Sequence, residues 1–404
     1  MYVAAKGGEE AIQQAERLYH DLKGKLTPEM VEQVEKGMPY LLDRIMGESS
    51  LYAPQLAALA LAQAGGDTYE AVLILRAYRS TQPRLAYALP IDSNSMTVVR
   101  RISAAFKDIP GGQILGPTLD YSHRLLRLDV LDKELVAEDS GTAELRAADE
   151  PSPKQYPPVT DWQRTQKMLP ELDSIENPEP ADLPDLTREP IMFPTSRPHR
   201  LQALARADTG GLLALGYANM RGFGPVHPTV NEVRLSYARV QLKHPVTGTV
   251  FSVGNIRVSH AEVVQTTKAS KDKVGLELGF CATFGWNEVK NIAGSMLDLA
   301  MDREDVHPAF TEEFVLYHTE SVESSGFCIH LKLPHYVTFT SGMDAMKDAM
   351  MGVGMAQMPT SSKAFEKQDA KSPAPEADLE TDEKVSPITA VESESETESE
   401  KEMS

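Results

Sequence analysis

Val233-Arg234-Leu235-Ser236-Tyr237-Ala238-Arg239-Val240 is the stretch on which the fold class turns. Apolar and polar residues largely alternate along it, the period of a strand with one face toward a core. The turn signal Pro245-Val-Thr-Gly248 follows, and Thr249–Val258 resumes the extended pattern. Val274–Phe284 reads as a further strand. Asn287–Met301 then changes period and reads as a helix with Ala, Leu and Met on its inner side. Phe314–His318 and Phe327–Leu333 read as a return to strand. Residues 197–345 are therefore a sheet-containing part of α+β type.

Toward the N-terminus the pattern is helical. Glu9–Leu22, Pro28–Met46, Gln55–Ala64 and Thr68–Tyr78 carry apolar residues at helical spacing, and Met96–Phe106 continues it. Asp67 or Thr68 suits an N-cap after the Gly65-Gly66 break. Leu56-Ala-Ala-Leu-Ala-Leu-Ala62 offers a small-residue face for close packing, which is core. Residues 1–132 form a mainly helical part. Residues 133–196 differ in kind, with many acids and with prolines from Pro151 to Pro194. They read as a linker or arm in which the piece from Trp162 to Leu172 forms a short helix or docking segment. Residues 346–404 are a tail. Its run Glu392-Ser-Glu-Ser-Glu-Thr-Glu-Ser-Glu400 has no core-forming content, and the tail is expected to be disordered.

Composition narrows the function classes. Apolar content of 41% and charged content of 25% over 404 residues describe a globular chain. No apolar run approaches the ~18 residues of a membrane span. Lys6, Glu9 and Glu10 interrupt any signal-peptide pattern, and only Cys281 and Cys328 occur, so a reducing cytoplasm is expected. The net charge is −19; from Ala356 onward five Lys face thirteen Asp and Glu, and the remainder of the chain stays acidic. A broad basic surface for nucleic acid is excluded, while a local anion pocket needs only a few placed cations.

Gly326-Phe-Cys-Ile-His330-Leu-Lys332-Leu-Pro334-His335-Tyr336 concentrates chemistry in an apolar run. In a straight strand His330 and His335 point to opposite faces. Pro334 bends or ends the strand and can bring them together. Their four-residue gap falls within the spacing of zinc sites, although the usual Cys pair is missing. Cys328 shares a strand face with His330 and could add a soft ligand, or serve as a small buried residue. Two ordinary histidines at a strand end are the other reading.

Further candidates are cationic or glycine-rich. Arg76 and Arg79 would lie on one helix face and suit phosphate oxygens; the alternative is a solvated face. Arg84, Arg100, Arg101 and Lys107 follow. Pro110-Gly111-Gly112 and Gly116-Pro117 form a glycine-rich loop whose amides could approach an anion, or a structural turn. Arg221-Gly222-Phe223-Gly224 with His227-Pro228 is a similar loop with a built-in cation. Lys332, between the histidines, adds another. Asp120, Glu312 and Glu313 are candidate carboxylates without an assigned role.

These segments carry a resemblance. The string from Gly326 to Tyr336 is similar to the I subunit of the bacterial carbon–phosphorus lyase core complex, part of alpha-D-ribose 1-methylphosphonate 5-triphosphate synthase. Met1-Tyr-Val-Ala-Ala-Lys6-Gly7-Gly8-Glu9, Gly47-Glu-Ser-Ser-Leu-Tyr52, Leu75-Arg76-Ala-Tyr-Arg79 and Arg101-Ile-Ser-Ala104 resemble the same family. So do Asp108 to Leu126, Leu212-Leu-Ala-Leu215, Arg221 to Gly224, His227-Pro228 and Glu313-Phe-Val-Leu316. The likeness covers most of residues 1–340 and leaves out the tail. It implies a mixed α+β fold and a cytoplasmic assembly with the G, H and J subunits and a second copy of the chain. It implies a transferase that uses ATP, with Mg²⁺, and an alkylphosphonate to displace adenine at the ribose anomeric carbon, with nucleosidase activity in the isolated chain. By the resemblance, His330 and His335 are the positions where zinc binds, and Arg76, Arg79, Gly111, Gly112, Arg221 and Lys332 are candidates for substrate contact. A non-catalytic scaffold subunit and a stand-alone metallohydrolase are the other readings.

Overall fold

The computed structural model describes residues 8–126, 128–131, 156–171, 182–223, 227–266, 275–303, 306–332 and 338–352. His335, between 332 and 338, and the acidic tail beyond 352 both lie outside them.

The N-terminal helices are α1 (Gly8–Lys23), α2 (Pro28–Gly37), α3 (Pro39–Ser49), α4 (Pro54–Gln63) and α5 (Thr68–Ser80). Thr27 caps α2 by accepting from Met30 N, and Asp67 caps α5 by accepting from Tyr69 N and Glu70 N. The expected single helix Pro28–Met46 is two. Pro39 forces Met38 out of the helical region, to φ −128° and ψ 46°, and starts α3 at its own first turn. Leu42, Ile45, Met46, Ala57, Leu61 and Leu75 close a helical core, in which the alanines of α4 allow near contact between helices.

The sheet is four-stranded and antiparallel, ordered β1-β2-β3-β4: β1 (Thr97–Ile102), β2 (Thr229–Lys243), β3 (Val250–Thr266) and β4 (Leu276–Phe284). The strand readings in this region hold, and β1 is a correction. Met96–Phe106 was expected to be helical. Instead Arg101 pairs opposite Arg234 and Ile102 opposite Val233, so the β-branched Val98-Val99 enters the sheet as an edge strand. A short window of apolar residues does not separate the two periods, and pairing with β2 decides between them.

After α6 (Val159–Thr165), α7 (Arg197–Arg206) and α8 (Thr209–Ala218), the long helix α9 (Glu288–Met301) packs on one face of the sheet. Val263 meets Met296 and Leu299, and Cys281 meets the Leu297 cluster. The approach is close because glycines line it. A Cβ on Gly279 would strike Ser295 O, and one on Gly294 would lie 2.6 Å from Cys281 Sγ. Because Ala261 and Val263 turn toward α9, His260 and Glu262 turn to the opposite face.

Two further strand expectations are overturned. Phe314–His318 lies in α10 (Glu312–His318), and Phe327–Leu333 falls largely in α11 (Ser321–Leu331). Both helices are started by their caps. Thr311 Oγ1 accepts from Phe314 N, and the Glu320 carboxylate accepts from Val322 N at 2.8 Å and Glu323 N at 2.9 Å. A separate unit runs from Tyr336 and contains α12 (Thr338–Gly352), on which Met343 and Met351 are exposed. Among the described residues, no helix is long and apolar enough to cross a membrane.

Candidate functional site

The sheet face turned away from α9 is polar and buried. Glu232 is wholly buried between the guanidinium groups of Arg101 and Arg234. Arg101 reaches outward to the carbonyls of Pro110 at 2.6 Å, Gly112 at 2.8 Å and Pro157 at 2.8 Å. Glu232 Oε2 accepts from Val159 N at 3.2 Å and fixes the start of α6. Asn231 exchanges hydrogen bonds with Gln163 at 2.7 and 3.1 Å, and its Nδ2 donates to Glu262 Oε2 at 3.0 Å. Trp162 packs edge-on to Phe106 at 5.2 Å. The helix here is α6, Val159–Thr165, which overlaps the expected piece from Trp162 to Leu172 only at its start, and Gln163 docks it on the sheet.

Next to this layer lies a cavity of about 880 Å³. Phe280, Ala282, Phe284 and Val258 give it an apolar floor, with His260 and Glu262 beside them. Asp92, Asn94, Thr160 and Gln202 line other parts of the wall. Arg206 and Arg234 also line it, and each has a buried nitrogen without a hydrogen-bond partner, Nε of Arg206 and Nη1 of Arg234. Burial, with Arg76 and Arg79 nearby, pulls the Arg206 guanidinium down to about 10. An unpaired buried donor on a cation is costly, and an anion in the cavity would satisfy it.

The two neutralisable groups shift in opposite directions. Burial lowers His260 to about 4, helped by the charge of Arg234. Burial raises Glu262 to about 7, helped by the charge of Glu232. Both penalties are on the charged form, so an acid and an imidazole side by side are each held neutral under mildly acidic conditions.

The residues singled out by sequence scatter over the molecule. Arg76 is buried, donating to Glu48 O at 2.7 and 3.0 Å, to Ser321 Oγ at 3.3 Å and to Glu320. Arg79 has a buried Nε without a hydrogen-bond partner, and burial lowers its guanidinium below the usual value. Gly111 and Gly112 have φ of 86° and 80°, and the carbonyl of Gly112 faces the Arg101 guanidinium. Arg221 is exposed in the turn after α8, and Lys332 is exposed at the end of α11. His330 lies on α11, its Nδ1 3.3 Å from Phe327 O, and Cys328 is exposed on the same helix. Since α11 is a helix, Cys328 and His330, two apart, do not share a face. Among the described residues, no group of three or more His, Cys, Asp and Glu is placed to hold a metal ion.

The family model for the bacterial phosphonate metabolism protein PhnI matches residues 1–351. This chain belongs to the PhnI family. Its similarity to curated relatives runs through almost their whole length. It is 43% identical over 360 residues to the alpha-D-ribose 1-methylphosphonate 5-triphosphate synthase subunit PhnI of Rhizobium meliloti strain 1021, covering 86% of this chain and 94% of that protein. It is 40% identical over 356 residues to the subunit of the same name from Escherichia coli K12, covering 86% and 98% respectively.

The cavity of this PhnI-family chain is built from residues that sequence reasoning passed over. Arg234, His260 and Glu262 of its lining, and Glu232 in the layer beside it, occupy the alternate positions of β2 and β3, where polar residues are expected to meet solvent. The available signal was the chemistry of that face: charged residues and an imidazole where a solvated strand would as readily carry Ser or Thr.

Proposed function

We propose that this PhnI-family chain is a catalytic subunit of the carbon–phosphorus lyase core. It joins the G, H and J subunits and a second copy of itself, and acts as a transferase on ATP and an alkylphosphonate. The phosphonate displaces adenine at the anomeric carbon and leaves the 5-triphosphate in place. The relatives named as synthase subunits support this reading. The observation that carries it is a cavity that sets an aromatic floor against the guanidinium groups of Arg206 and Arg234, each with a buried nitrogen that makes no hydrogen bond, the Arg206 one lying 3.7 Å from Glu320 Oε1. Its volume of about 880 Å³ suits a nucleotide-sized ligand. The floor offers a planar base an apolar surface, and the cations offer the phosphates charge-assisted donors.

Mg²⁺ accompanies ATP in this scheme. Zinc at His330 and His335 belongs to the same proposal, but no step is routed through it; loss of bound zinc from His330→Ala and His335→Ala chains, with the fold kept, is its test. The function itself is tested by incubating the chain with ATP and Mg²⁺, alone and with the G and H subunits, with and without methylphosphonate. Free adenine together with a sugar that retains its triphosphate is the expected result. No adenine from an assembled complex would leave the chain as a scaffold.

A further inference from the structure

A purine is a poor leaving group as an anion. Its departure from an anomeric carbon is eased by a proton delivered to the ring as the bond to N9 breaks. A donor for that proton must be neutral at working pH, must line the base site and must not be locked in an ion pair. The carboxyl groups around the cavity separate on these terms. Glu232 is fixed by Arg101 and Arg234. Asp161 is exposed and pairs with Arg164. Asp92 is exposed and caps the turn before β1 by accepting from Asn94 N at 2.9 Å.

Glu262 meets all three conditions. It is 7% exposed, lines the cavity and has no ion pair among the described residues. Its partner Asn231 is itself held by Gln163, and donates to Oε2. A proton on this carboxyl therefore rests on Oε1. Across the ladder Glu262 pairs with Phe280, whose ring lies 5.8 Å from that of His260, so an aromatic surface for a base adjoins the carboxyl. The charged groups facing Glu262 are Glu232 and Arg234 from β2 and Arg164 from α6, with His260 two residues along its own strand. The acid is held protonated up to about pH 7 by burial and by Glu232.

We infer that Glu262 is the general acid of the displacement, delivering its carboxyl proton to the departing purine. This rests on the reading of the cavity as the nucleotide site. In the step, a phosphonate oxygen forms the bond to the anomeric carbon. The bond from that carbon to N9 breaks, and its electron pair goes to the base. The base takes the proton of Glu262 and leaves neutral, and the carboxylate regains a proton from water after product release.

The test compares two substrates in the wild-type chain with its partner subunits and in Glu262→Gln. One is ATP. The other is an N7-methylated purine nucleoside triphosphate, whose base departs neutral without being protonated. Glu262→Gln keeps the size of the side chain. It is expected to lower kcat on ATP by about 100-fold or more, with KM nearly unchanged, and to leave turnover of the methylated substrate within about threefold. Equal losses on both substrates, or no loss on either, would overturn the assignment. The wild-type protein gives the same test without a variant. Its kcat on ATP should fall as pH rises through about 7, and its kcat on the methylated substrate should not. Matching profiles for the two substrates overturn the acid role while leaving the nucleotide site intact. A wild-type complex that releases base from neither substrate overturns the nucleotide reading, and the acid with it.

Discussion

Glu232 has none of its surface in water and sits between two guanidinium groups, and this cluster adds to the effect of burial on the titratable residues around it. Removing one partner of such a cluster leaves a buried charge uncompensated, at a cost of about 3–5 kcal/mol. His260 and Glu262 take the other course and stay neutral. The lowered value of His260 means that its stabilisation is present above about 6.5 and is lost as pH falls toward about 4. The raised value of Glu262 works in reverse: its stabilisation is present below about 4.5 and is lost as pH rises through about 7. Between pH 7 and 5 the two nearly cancel. Urea midpoints at those two pH values should therefore separate the variants. His260→Gln should gain roughly 1–2 kcal/mol on acidification relative to wild type, and Glu262→Gln should lose a similar amount. Identical pH differences in all three proteins would refute the burial of both groups as neutral species. Arg206 makes a second residue-scale case. Arg206→Ala should raise KM for ATP by about tenfold and leave adenosine cleavage unchanged, since of the substrate only the phosphates would meet its guanidinium, whose protein partners are Leu186 O and Glu320. None of these four residues was legible as a site. Arg206 ends helix α7, and Glu232, His260 and Glu262 fall just outside the stretches read as strand, in the parts by which β2 and β3 run longer than that reading. Strand alternation also says which face a residue takes without saying what covers that face.

At the scale of elements, sequence patterns were reliable where a helix is capped by its own side chain or carries a long apolar stripe. Asp67 caps α5, whereas α9 starts at Asn287 without a side-chain cap and is set by its apolar stripe, which faces the sheet as its spacing requires. The patterns failed on short apolar runs. Val98-Val99 in β1, Phe314 to Leu316 in α10 and Phe327 to Ile329 in α11 carry nearly the same hydrophobic content, and their neighbours decide the outcome. β1 is claimed by an open edge of β2, whereas α10 and α11 are claimed by the capping side chains of Thr311 and Glu320. Glycine is the second device at this scale, since α9 reaches β4 only because Gly279 has no side chain. Gly279→Ala would drive a methyl group into Ser295 O and Leu299, and should destabilise the chain by about 1–3 kcal/mol. Thermal unfolding would measure it. An unchanged midpoint would show that α9 can ride higher on the sheet than the structure places it. Gly112→Ala has open space for the new Cβ but a φ of 80°, so its cost would come from backbone strain alone.

For the whole molecule, the cavity draws on segments as distant as Gly47, Asp92, Thr160, Gln202 and Phe284. No local window holds more than a fragment of it, which is why composition and spacing could set the fold class but not find the site. The stretch from 133 to 196 shows the same limit. Its prolines and acids suggested an arm with a helix or docking segment from Trp162 to Leu172; among its described residues Gln163 is fully buried and Met168 O accepts from Leu276 N at 2.9 Å beside β4. A low apolar content did not prevent this piece from docking, because it contributes polar partners to an already buried polar face. The acidic tail lies outside the described residues. The family match ends at residue 351, and every side chain lining the cavity lies between Gly47 and Phe284. A chain ending before Ala356 also loses about −8 of the −19 net charge, so its remaining surface is still acidic. We therefore expect the truncated protein to release adenine from ATP at the full-length rate and to elute with its partner subunits at the same stoichiometry. Solubility at low ionic strength should fall instead, because less like charge separates the molecules. Slower adenine release or a smaller assembly would give the tail a role in catalysis or docking, and the separation of tail from site argued here would not stand.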